Sequence, residues 1–197
     1  EGKTLAVSHA DYDVTTSKFG YAEQDPQIWW NHTVRTIGEA LENAGIRPED
    51  LTGIGLSGQM HGLVALDENW QPIMPSIIWM DQRSAEETGE IKELAEELLE
   101  TELLNQPGAG MMICSLLWLK KYQRQTYDRI RCVMLPKDYI RYRLTGTIGS
   151  EYSDASSTLA LSVRNRYWCR ELIRRAGLKE DIWPALSESW QVAGSVQ

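Results

Sequence analysis

Residues 51–62 read LTGIGLSGQMHG, an apolar run that passes into a segment where two glycines enclose an amide, a thioether and an imidazole. The run at 51–56 predicts a short buried strand. In α/β folds, ligand-binding side chains follow strand ends, where loops present them from a rigid base. Gly58 and Gly62 would let the backbone come close to a ligand. This stretch therefore predicts a fold class and marks a candidate site.

Helical and strand patterns alternate along the rest of the chain. Asp25-Pro26 predicts a helix start and Gly45 its end. Ser84-x-x-Glu87 predicts a capping box that opens an acidic helix running to about residue 104. Further helices are predicted at 111–123, 137–144 (ended by Gly146) and 167–177, and further strands at 3–10, 62–66, 71–79 (as a hairpin with 62–66), 130–135 and 158–163.

This mixture predicts an α/β fold in which a mixed sheet carries helices on both faces. The 197 residues, 42% hydrophobic and 24% charged, are typical of a soluble globular domain. No apolar run approaches the roughly 20 residues of a membrane helix, and the start of the chain does not read as a signal peptide. We therefore expect no membrane partner.

Charge and cysteine content exclude further classes. The net charge of −8 disfavours nonspecific nucleic-acid binding, which depends on phosphate neutralisation. Cys114, Cys132 and Cys169 are widely spaced and form no Cys-x-x-Cys pair. We expect them to be small buried hydrophobes of a reducing compartment, and we expect no zinc site.

Four polar clusters adjoin the apolar elements. Small polyols are held by directed hydrogen bonds from amide, carboxylate, guanidinium and imidazole groups, and these clusters supply all four. They are Gln59-Met60-His61-Gly62, Trp79-Met80-Asp81-Gln82-Arg83, Lys137-Asp138-Tyr139 and Ser153-Asp154-Ala155-Ser156.

Each cluster also has a structural interpretation. His61 could be a core histidine with its hydrogen bonds satisfied. Asp81 and Arg83 could form an ordinary ion pair, or Asp81 a helix cap. Lys137-Asp138 could serve helix capping, and the segment at Asp154 could be a plain turn. The residues alone therefore predict a soluble α/β domain. They do not decide whether the polar clusters form a ligand pocket or only stabilise the fold.

The clusters are more specific as an ordered set. The set is Glu23-Gln24-Asp25-Pro26 with Trp29-Trp30, Gly55-Leu-Ser-Gly-Gln-Met-His-Gly62, Ile78-Trp-Met-Asp-Gln-Arg83, Leu135-Pro-Lys-Asp-Tyr139, and Leu144-Thr-Gly146 with Ser153-Asp-Ala-Ser156. In this order and spacing, over about residues 20 to 190, the chain resembles the N-terminal domain of the FGGY carbohydrate kinases. Its Gln-Met-His-Gly segment is similar to that of the xylulokinase branch.

The resemblance implies a ribonuclease-H-like fold of the actin/hexokinase type. It implies cytoplasmic, ATP-dependent phosphorylation of D-xylulose to xylulose 5-phosphate with Mg²⁺, in a protein that could form a homodimer. Met60 and His61 would line the sugar pocket, with Gln59 supporting their loop and Asp81 and Arg83 beside it. Lys137, Asp138 and Asp154 match positions expected behind the residues that touch the sugar.

The chain departs from the family pattern in two places. The family begins with two strands carrying Asp-x-Gly-Thr/Ser near the ATP phosphates, and its catalytic aspartate lies in a Gly-x-Gly-Asp-Asn segment; neither motif occurs here. We therefore expect residues 1–197 to be a partial sugar-binding domain without the catalytic base or the C-terminal nucleotide-binding domain. The loss of two strands would also leave an edge of 3–10 open to pairing.

Three alternatives stay open. The parent protein could be another FGGY kinase, acting on L-ribulose, gluconate or another polyol. The chain could be a noncatalytic sugar-binding fragment, or a structural or interaction domain if His61 and Asp81 are buried in unrelated places.

Overall fold

Helices and short strands follow one another throughout the computed structural model, which describes residues 2–197. The helices in this range are α1 (Pro26–Ala44), α2 (Ala85–Leu98), α3 (Met112–Tyr122), α4 (Arg124–Arg129), α5 (Pro136–Thr145), α6 (Tyr152–Ala155) and α7 (Arg170–Arg175). The strands are β1 (Glu23–Gln24), β2 (Val64–Leu66), β3 (Ser76–Ile77), β4 (Cys132–Met134), β5 (Ser150–Glu151), β6 (Leu161–Ser162), β7 (Tyr167–Trp168) and β8 (Leu186–Ser187). Single 3₁₀ turns lie at Pro48–Asp50 and Ser156–Thr158.

The strands pair as four two-stranded ladders. Three are antiparallel (β1 with β3, β2 with β4, β6 with β7), and β5 pairs with β8 in parallel. The β2–β4 ladder has the longest register and joins Val64 to Met134, Ala65 to Val133 and Leu66 to Cys132. Parallel and antiparallel pairs therefore coexist, and the predicted mixed α/β class is confirmed.

The β2–β4 ladder separates two hydrophobic clusters. Ala65 and Val133 belong to the larger cluster, which includes apolar residues of α2, α3 and α7. Their neighbours Val64 and Met134 belong to the smaller cluster, together with Trp29 of α1 and Tyr139 of α5. Successive side chains of a strand point to opposite faces, so this alternation places helices on both sides of the ladder, as predicted.

Helix α1 shows how local chemistry sets its ends. Asp25 Oδ1 accepts a hydrogen bond from the backbone N–H of Gln27 at 2.9 Å, and Pro26 occupies the first helical position. Gly45 closes the helix with φ of 65°, and its N–H donates to the carbonyl of Glu42. The predicted start and stop of this helix are both confirmed.

The strands predicted at 3–10 and 51–56 do not form. Within residues 2–197 both segments lack a ladder partner, and their apolar side chains face solvent; Leu5 and Val7 are 60% and 75% exposed, and Ile54 is 43% exposed. An apolar run indicates that a strand is possible, but the backbone hydrogen bonds of a strand come from its neighbour.

Two turn predictions are only partly right. The runs on either side of Asp67 turn back through a hydrogen bond from Asp67 N to Gln71 O, but β2 and β3 pair mainly with β4 and β1. Helix α2 starts after Ser84 as predicted, although Ser84 makes no capping hydrogen bond. The predicted capping box does not form, and Glu87 accepts a bond from Lys121 Nζ at 3.0 Å.

The acidic helix ends in a π-helical turn. A π-helical turn at Leu99–Leu103 follows α2, and Leu104 then adopts φ of 51°. The helix therefore stops at the predicted residue. No helix within residues 2–197 combines the length and the apolar composition that a membrane span requires.

The three cysteines are free and buried, as predicted. Burial raises the pKa of Cys114 and of Cys132 to about 12, because a thiolate in the core would lose its hydration. Burial also raises the pKa of Cys169. These side chains act as small apolar groups of the core.

Candidate functional site

The two glycines of the Gly58–Gly62 loop bring its backbone against the start of α5. A Cβ atom at position 58 would lie 3.1 Å from Cβ of Lys137. A Cβ atom at position 62 would lie 2.9 Å from Cγ of Pro136 and 3.3 Å from the carbonyl oxygen of Ile77. The close approach predicted for a ligand is thus made by the protein itself, and only glycine fits without displacing a neighbour.

His61 occupies a tight turn at the end of this loop. The N–H of Gly62 donates to the carbonyl of Met60 at 2.9 Å, across His61, whose φ is +69°. A three-residue turn with positive φ at its centre is rare and strained for any residue but glycine. The turn projects the imidazole to a half-buried position.

Ser157 contacts His61 twice. The backbone N–H of His61 donates to Oγ of Ser157 at 3.2 Å, and its Nδ1 lies 2.7 Å from the Ser157 carbonyl oxygen. These contacts join positions 96 residues apart. The strained turn is therefore held by a partner from a distant part of the chain.

Gln59 is tied to the smaller hydrophobic cluster. Its Nε2 donates to Oε1 of Gln24 at 2.9 Å, and the same oxygen accepts a bond from Nε1 of Trp29 at 3.2 Å. Gln24 and Trp29 are both buried. Gln59 thus fixes one side of the loop to β1 and α1, which fits the predicted supporting role.

Lys137 lies at the centre of a group of three carboxylates. Its Nζ is 2.9 Å from Oε1 of Glu151 and 3.4 Å from carboxylate oxygens of both Asp138 and Asp154. The structure therefore brings together the three residues that the sequence placed behind the pocket, and it adds Glu151 to them.

The surroundings of these three carboxylates shift their pKa values in opposite directions. Burial raises the pKa of Asp138 and of Asp154, and the positive charge of Lys137 only partly offsets it. Burial also opposes ionisation of Glu151, but hydrogen bonds from Ser189, Lys137 and Ser153 outweigh it and lower its pKa to about 2. Glu151 is thus the firmly ionised partner of Lys137.

Glu151 also caps the short helix α6. Its carboxylate accepts the backbone N–H of Ser153 at 2.8 Å and that of Asp154 at 2.9 Å. The 3₁₀ turn that contains Ser157 follows directly. Lys137 and Glu151 therefore anchor the segment that holds His61.

Asp81 and Arg83 form a second, closed polar cluster. The guanidinium of Arg83 donates to both oxygens of Asp81 at 2.8–3.0 Å and to Oε1 of Glu23 at 2.7 Å. Its Cζ lies 3.8 Å from the centre of the Tyr21 ring and 5.3 Å from that of Trp118. The Arg83 side chain is 1% exposed and that of Asp81 is 0% exposed.

The hydrogen bonds of this second cluster do not reach the His61 loop. Asp81 also accepts the backbone N–H of Ala22 at 2.6 Å, and among the described residues neither Asp81 nor Arg83 bonds to Gln59, Met60 or His61. The two side chains are almost fully enclosed, and their bonds hold β1 to the segment after β3.

Three exposed apolar side chains lie on the His61 loop and on the segment that follows β3. An antiparallel bridge between Leu63 and Ile77 joins these two segments. Met60, Trp79 and Met80 are 54%, 52% and 48% exposed. An exposed aromatic ring can pack against the C–H groups of a small polyol while polar atoms bind its hydroxyls.

A cavity of about 390 Å³ borders the other end of the loop. Gly58, Gln59 and Lys137 line it together with residues of α1 and of the exposed segment 9–12, but Met60 and His61 do not. The residues predicted to contact the sugar therefore lie in two places. Gln59 lines this groove, whereas Met60 and His61 lie on the open surface outside it.

Two residues of the site, Ser157 and Glu151, were not predicted from the sequence. The cluster quoted from the sequence ends at Ser156, one residue short of the one that touches His61. No local pattern marks Ser157, because its partner lies 96 residues away. Glu151 had a weak signal, because a carboxylate near the start of a helix interacts favourably with the helix dipole.

The described residues do not form a metal centre. Nowhere in residues 2–197 are three or more His, Cys, Asp or Glu side chains placed to hold a metal ion. The carboxylates nearest to such an arrangement already surround the ammonium group of Lys137. A Mg²⁺ ion does not fit this set of donors, and we derive no step through one.

Comparison with known proteins assigns the chain to a family. The model of the N-terminal domain of the FGGY family of carbohydrate kinases matches residues 1–197, so the chain belongs to this family. Helices on both faces of a mixed set of strands are in keeping with the actin/hexokinase-like fold.

Similar proteins within the family carry a more specific name. A xylulose kinase from Staphylococcus xylosus is 39% identical over 196 residues, covering 99% of this chain and 40% of that protein. The crystal structure of a xyloylose kinase from Brucella ovis superposes with a TM-score of 0.88 at 35% identity, covering 94% of this chain and 38% of that one. That of a gluconate kinase from Lactobacillus acidophilus (TM-score 0.87, 23% identity, 95% of this chain and 38% of that one) shares the fold. The chain spans about two fifths of the length of the curated relatives it matches.

Proposed function

We propose that this chain is the sugar-binding portion of an ATP-dependent kinase that converts D-xylulose to xylulose 5-phosphate. The observation that carries the proposal is the half-exposed imidazole of His61, which a strained turn and Ser157 hold in one orientation. Strained, non-glycine backbone of this kind clusters at functional sites. The similarity to proteins named xylulose kinase supports the choice of sugar.

Each predicted site residue has a role in this proposal. His61 hydrogen-bonds a sugar hydroxyl, Met60 packs against the sugar, and Gln59 fixes the loop through Gln24. Lys137, with Asp138 and Asp154, anchors the segment that carries Ser157.

Asp81 and Arg83 have an indirect role in this proposal and do not contact the sugar. Their hydrogen bonds go to each other, to Glu23 and to the backbone of Ala22, so they support the Trp79–Met80 segment.

ATP, Mg²⁺ and the base that accepts the hydroxyl proton are assigned to the complete protein. Phosphoryl transfer depends on positioning and on electrostatic stabilisation of the phosphoryl group. Residues 2–197 supply the positioning of the sugar, and no metal cluster lies among them.

We also propose a reducing, cytoplasmic location, which three buried free thiols favour. We propose a homodimer as well, which size-exclusion chromatography would test.

The proposal is tested with the complete gene product on a panel of D-xylulose, L-ribulose, D-gluconate and glycerol. We expect D-xylulose to give the highest kcat/KM. We expect His61→Ala to lower kcat/KM for D-xylulose at least tenfold and to leave ATP binding unchanged. Unchanged sugar kinetics in this variant would refute the role of His61.

A second candidate is a kinase for another polyol, such as gluconate. The likeness to the gluconate kinase structure motivates it, although at 23% identity that likeness concerns the fold alone. A higher kcat/KM for gluconate or L-ribulose than for D-xylulose would favour this alternative. Sugar binding by calorimetry without any phosphorylation by the complete product would favour a noncatalytic sugar-binding protein.

A further inference from the structure

The two contacts between Ser157 and His61 fix different parts of the histidine. The bond from His61 N to Ser157 Oγ fixes the backbone of the strained turn. The contact between Nδ1 and the Ser157 carbonyl oxygen fixes the ring. A carbonyl oxygen can only accept a hydrogen bond, so Nδ1 must carry the proton in this contact.

This assignment determines the chemistry of the other ring nitrogen. In a neutral imidazole only one nitrogen carries a proton, so Nε2 keeps a free lone pair and can only accept. Among the residues that the structure describes, none hydrogen-bonds to Nε2. Because the ring is only half-buried, this lone pair is available to a ligand.

We propose that Ser157 is a positioning residue that holds His61 as the Nδ1–H tautomer, so that Nε2 accepts a hydrogen bond from a ligand hydroxyl. The inference rests on the proposed function for its ligand, a polyol or ketose. It predicts that a hydroxyl of the sugar faces His61, because a keto oxygen cannot donate to Nε2.

The surroundings of Ser157 make it suitable for this role. Ser157 is 6% exposed and lies in the 3₁₀ turn that follows α6. Glu151 caps α6, and Lys137 Nζ holds Glu151 at 2.9 Å. The position of the carbonyl that receives Nδ1–H therefore depends on a buried ionic cluster and not on a mobile loop.

The direct test is nitrogen NMR of the histidine rings in the 197-residue chain labelled with ¹⁵N-histidine, at a pH where the rings are neutral. His9 and His32 serve as internal references, and the loss of one ring system in His61→Asn assigns His61. We expect protonated Nδ1 and unprotonated Nε2 for His61. Protonated Nε2, or exchange between tautomers, would overturn the proposal whether or not the protein is a sugar kinase.

A matched pair of serine variants tests the role of the hydroxyl. Ser157→Ala removes the bond to His61 N and frees the turn, so we expect a mixture of His61 tautomers and a severalfold higher KM for D-xylulose with kcat little changed in the complete protein. Ser157→Thr should restore both. Ser156→Ala is the control, since its hydroxyl bonds to the Ser153 carbonyl and not to His61. A single Nδ1–H tautomer and unchanged KM in Ser157→Ala would contradict a positioning role for the hydroxyl.

His61→Asn separates the turn from the ligand contact. Asparagine tolerates positive φ, and its amide can donate to the Ser157 carbonyl, but it has no acceptor where Nε2 lies. We expect a thermal midpoint close to that of the unmodified chain and at least a tenfold loss of D-xylulose affinity in the complete protein. Retained affinity would show that Nε2 accepts no bond from the sugar. If the unmodified protein binds no D-xylulose, the proposed function fails, and the tautomer measurement still decides the inference.

Discussion

The Arg83 cluster and the His61 turn are both polar, yet they are built in opposite ways. In the cluster, Asp81 and Glu23 neutralise a guanidinium that lies over the Tyr21 ring and near that of Trp118, and the side chains of Asp81 and Arg83 are almost wholly enclosed. In the turn, one ring nitrogen is bonded and the other is free, and the backbone itself is strained. A closed cluster stabilises the fold, whereas an open one costs stability and keeps a group available to a ligand.

The largest effect should come from opening the closed cluster. Arg83→Ala leaves the buried carboxylate of Asp81 without its counter-ion, so we expect a loss of about 3–5 kcal/mol in the free energy of unfolding. Urea denaturation measures it. Arg124→Ala is the control, because Arg124 and Asp128 form an exposed pair whose removal should change stability little. Similar stabilities of the two variants would contradict a buried ionic role for Arg83.

The next effect should come from crowding the base of the turn. Gly62→Ala places a methyl group 2.9 Å from Pro136 Cγ, so we expect a loss of about 1–3 kcal/mol. His61 should also be displaced, which weakens sugar binding. Gly53→Ala is the matched control, because nothing lies within 4 Å of the added Cβ. Thermal unfolding of both variants should separate them clearly; equal midpoints would show that the loop does not press against α5.

A smaller effect should follow when the strain is removed. His61→Gly relieves a positive φ but loses the ring hydrogen bond to the Ser157 carbonyl and adds chain entropy to the unfolded state, so we expect stability to stay within about 1 kcal/mol. Sugar binding should disappear. A loss as large as that of Arg83→Ala would mean that His61 is a core residue, which is the structural alternative that the sequence left open.

The smallest effect concerns the shape of the acid unfolding curve. The pKa of Glu151 is lowered from 4.5 to about 2 in the folded chain, so its ionised form stabilises the fold above pH 4.5, and this contribution is lost as pH falls toward 2. Asp138 and Asp154 act in the opposite sense, because burial raises their pKa values and favours their protonated forms. We expect Glu151→Gln to flatten the fall in stability between pH 4.5 and 2, as followed by circular dichroism. An unchanged slope would show that Lys137 and Ser189 do not hold the charge of Glu151.

The same comparison shows what could be predicted from the sequence. Helix α1 was predictable at both ends, because Asp25, Pro26 and Gly45 affect only backbone groups that lie a few residues away along the chain. The glycines around His61 were correctly singled out, but the sequence did not indicate that they accommodate α5. Segments 3–10 and 51–56 carry strand-like apolar residues and yet stay unpaired within residues 2–197, because pairing depends on a neighbour and not on composition.

The candidate site was predictable as a list of residues but not as an arrangement. His61 and Gln59 were identified from their types and spacing, and Lys137, Asp138 and Asp154 do lie together. The separation of Asp81 and Arg83 into a closed cluster depends on Glu23, which lies 60 residues from Arg83. Ser157 was missed for the same reason, since contacts of long sequence separation leave no local pattern.

The three buried cysteines have a practical consequence for studying the site. Thiol reagents attack the accessible thiolate, and in the native chain the sulfurs at 114, 132 and 169 are enclosed in the core. A single cysteine introduced at the exposed position of Gln82 should therefore be modified alone, with no need to remove the natural ones. A fluorophore attached there would lie on the segment that follows Trp79 and Met80 and could report on its surroundings as sugar is added.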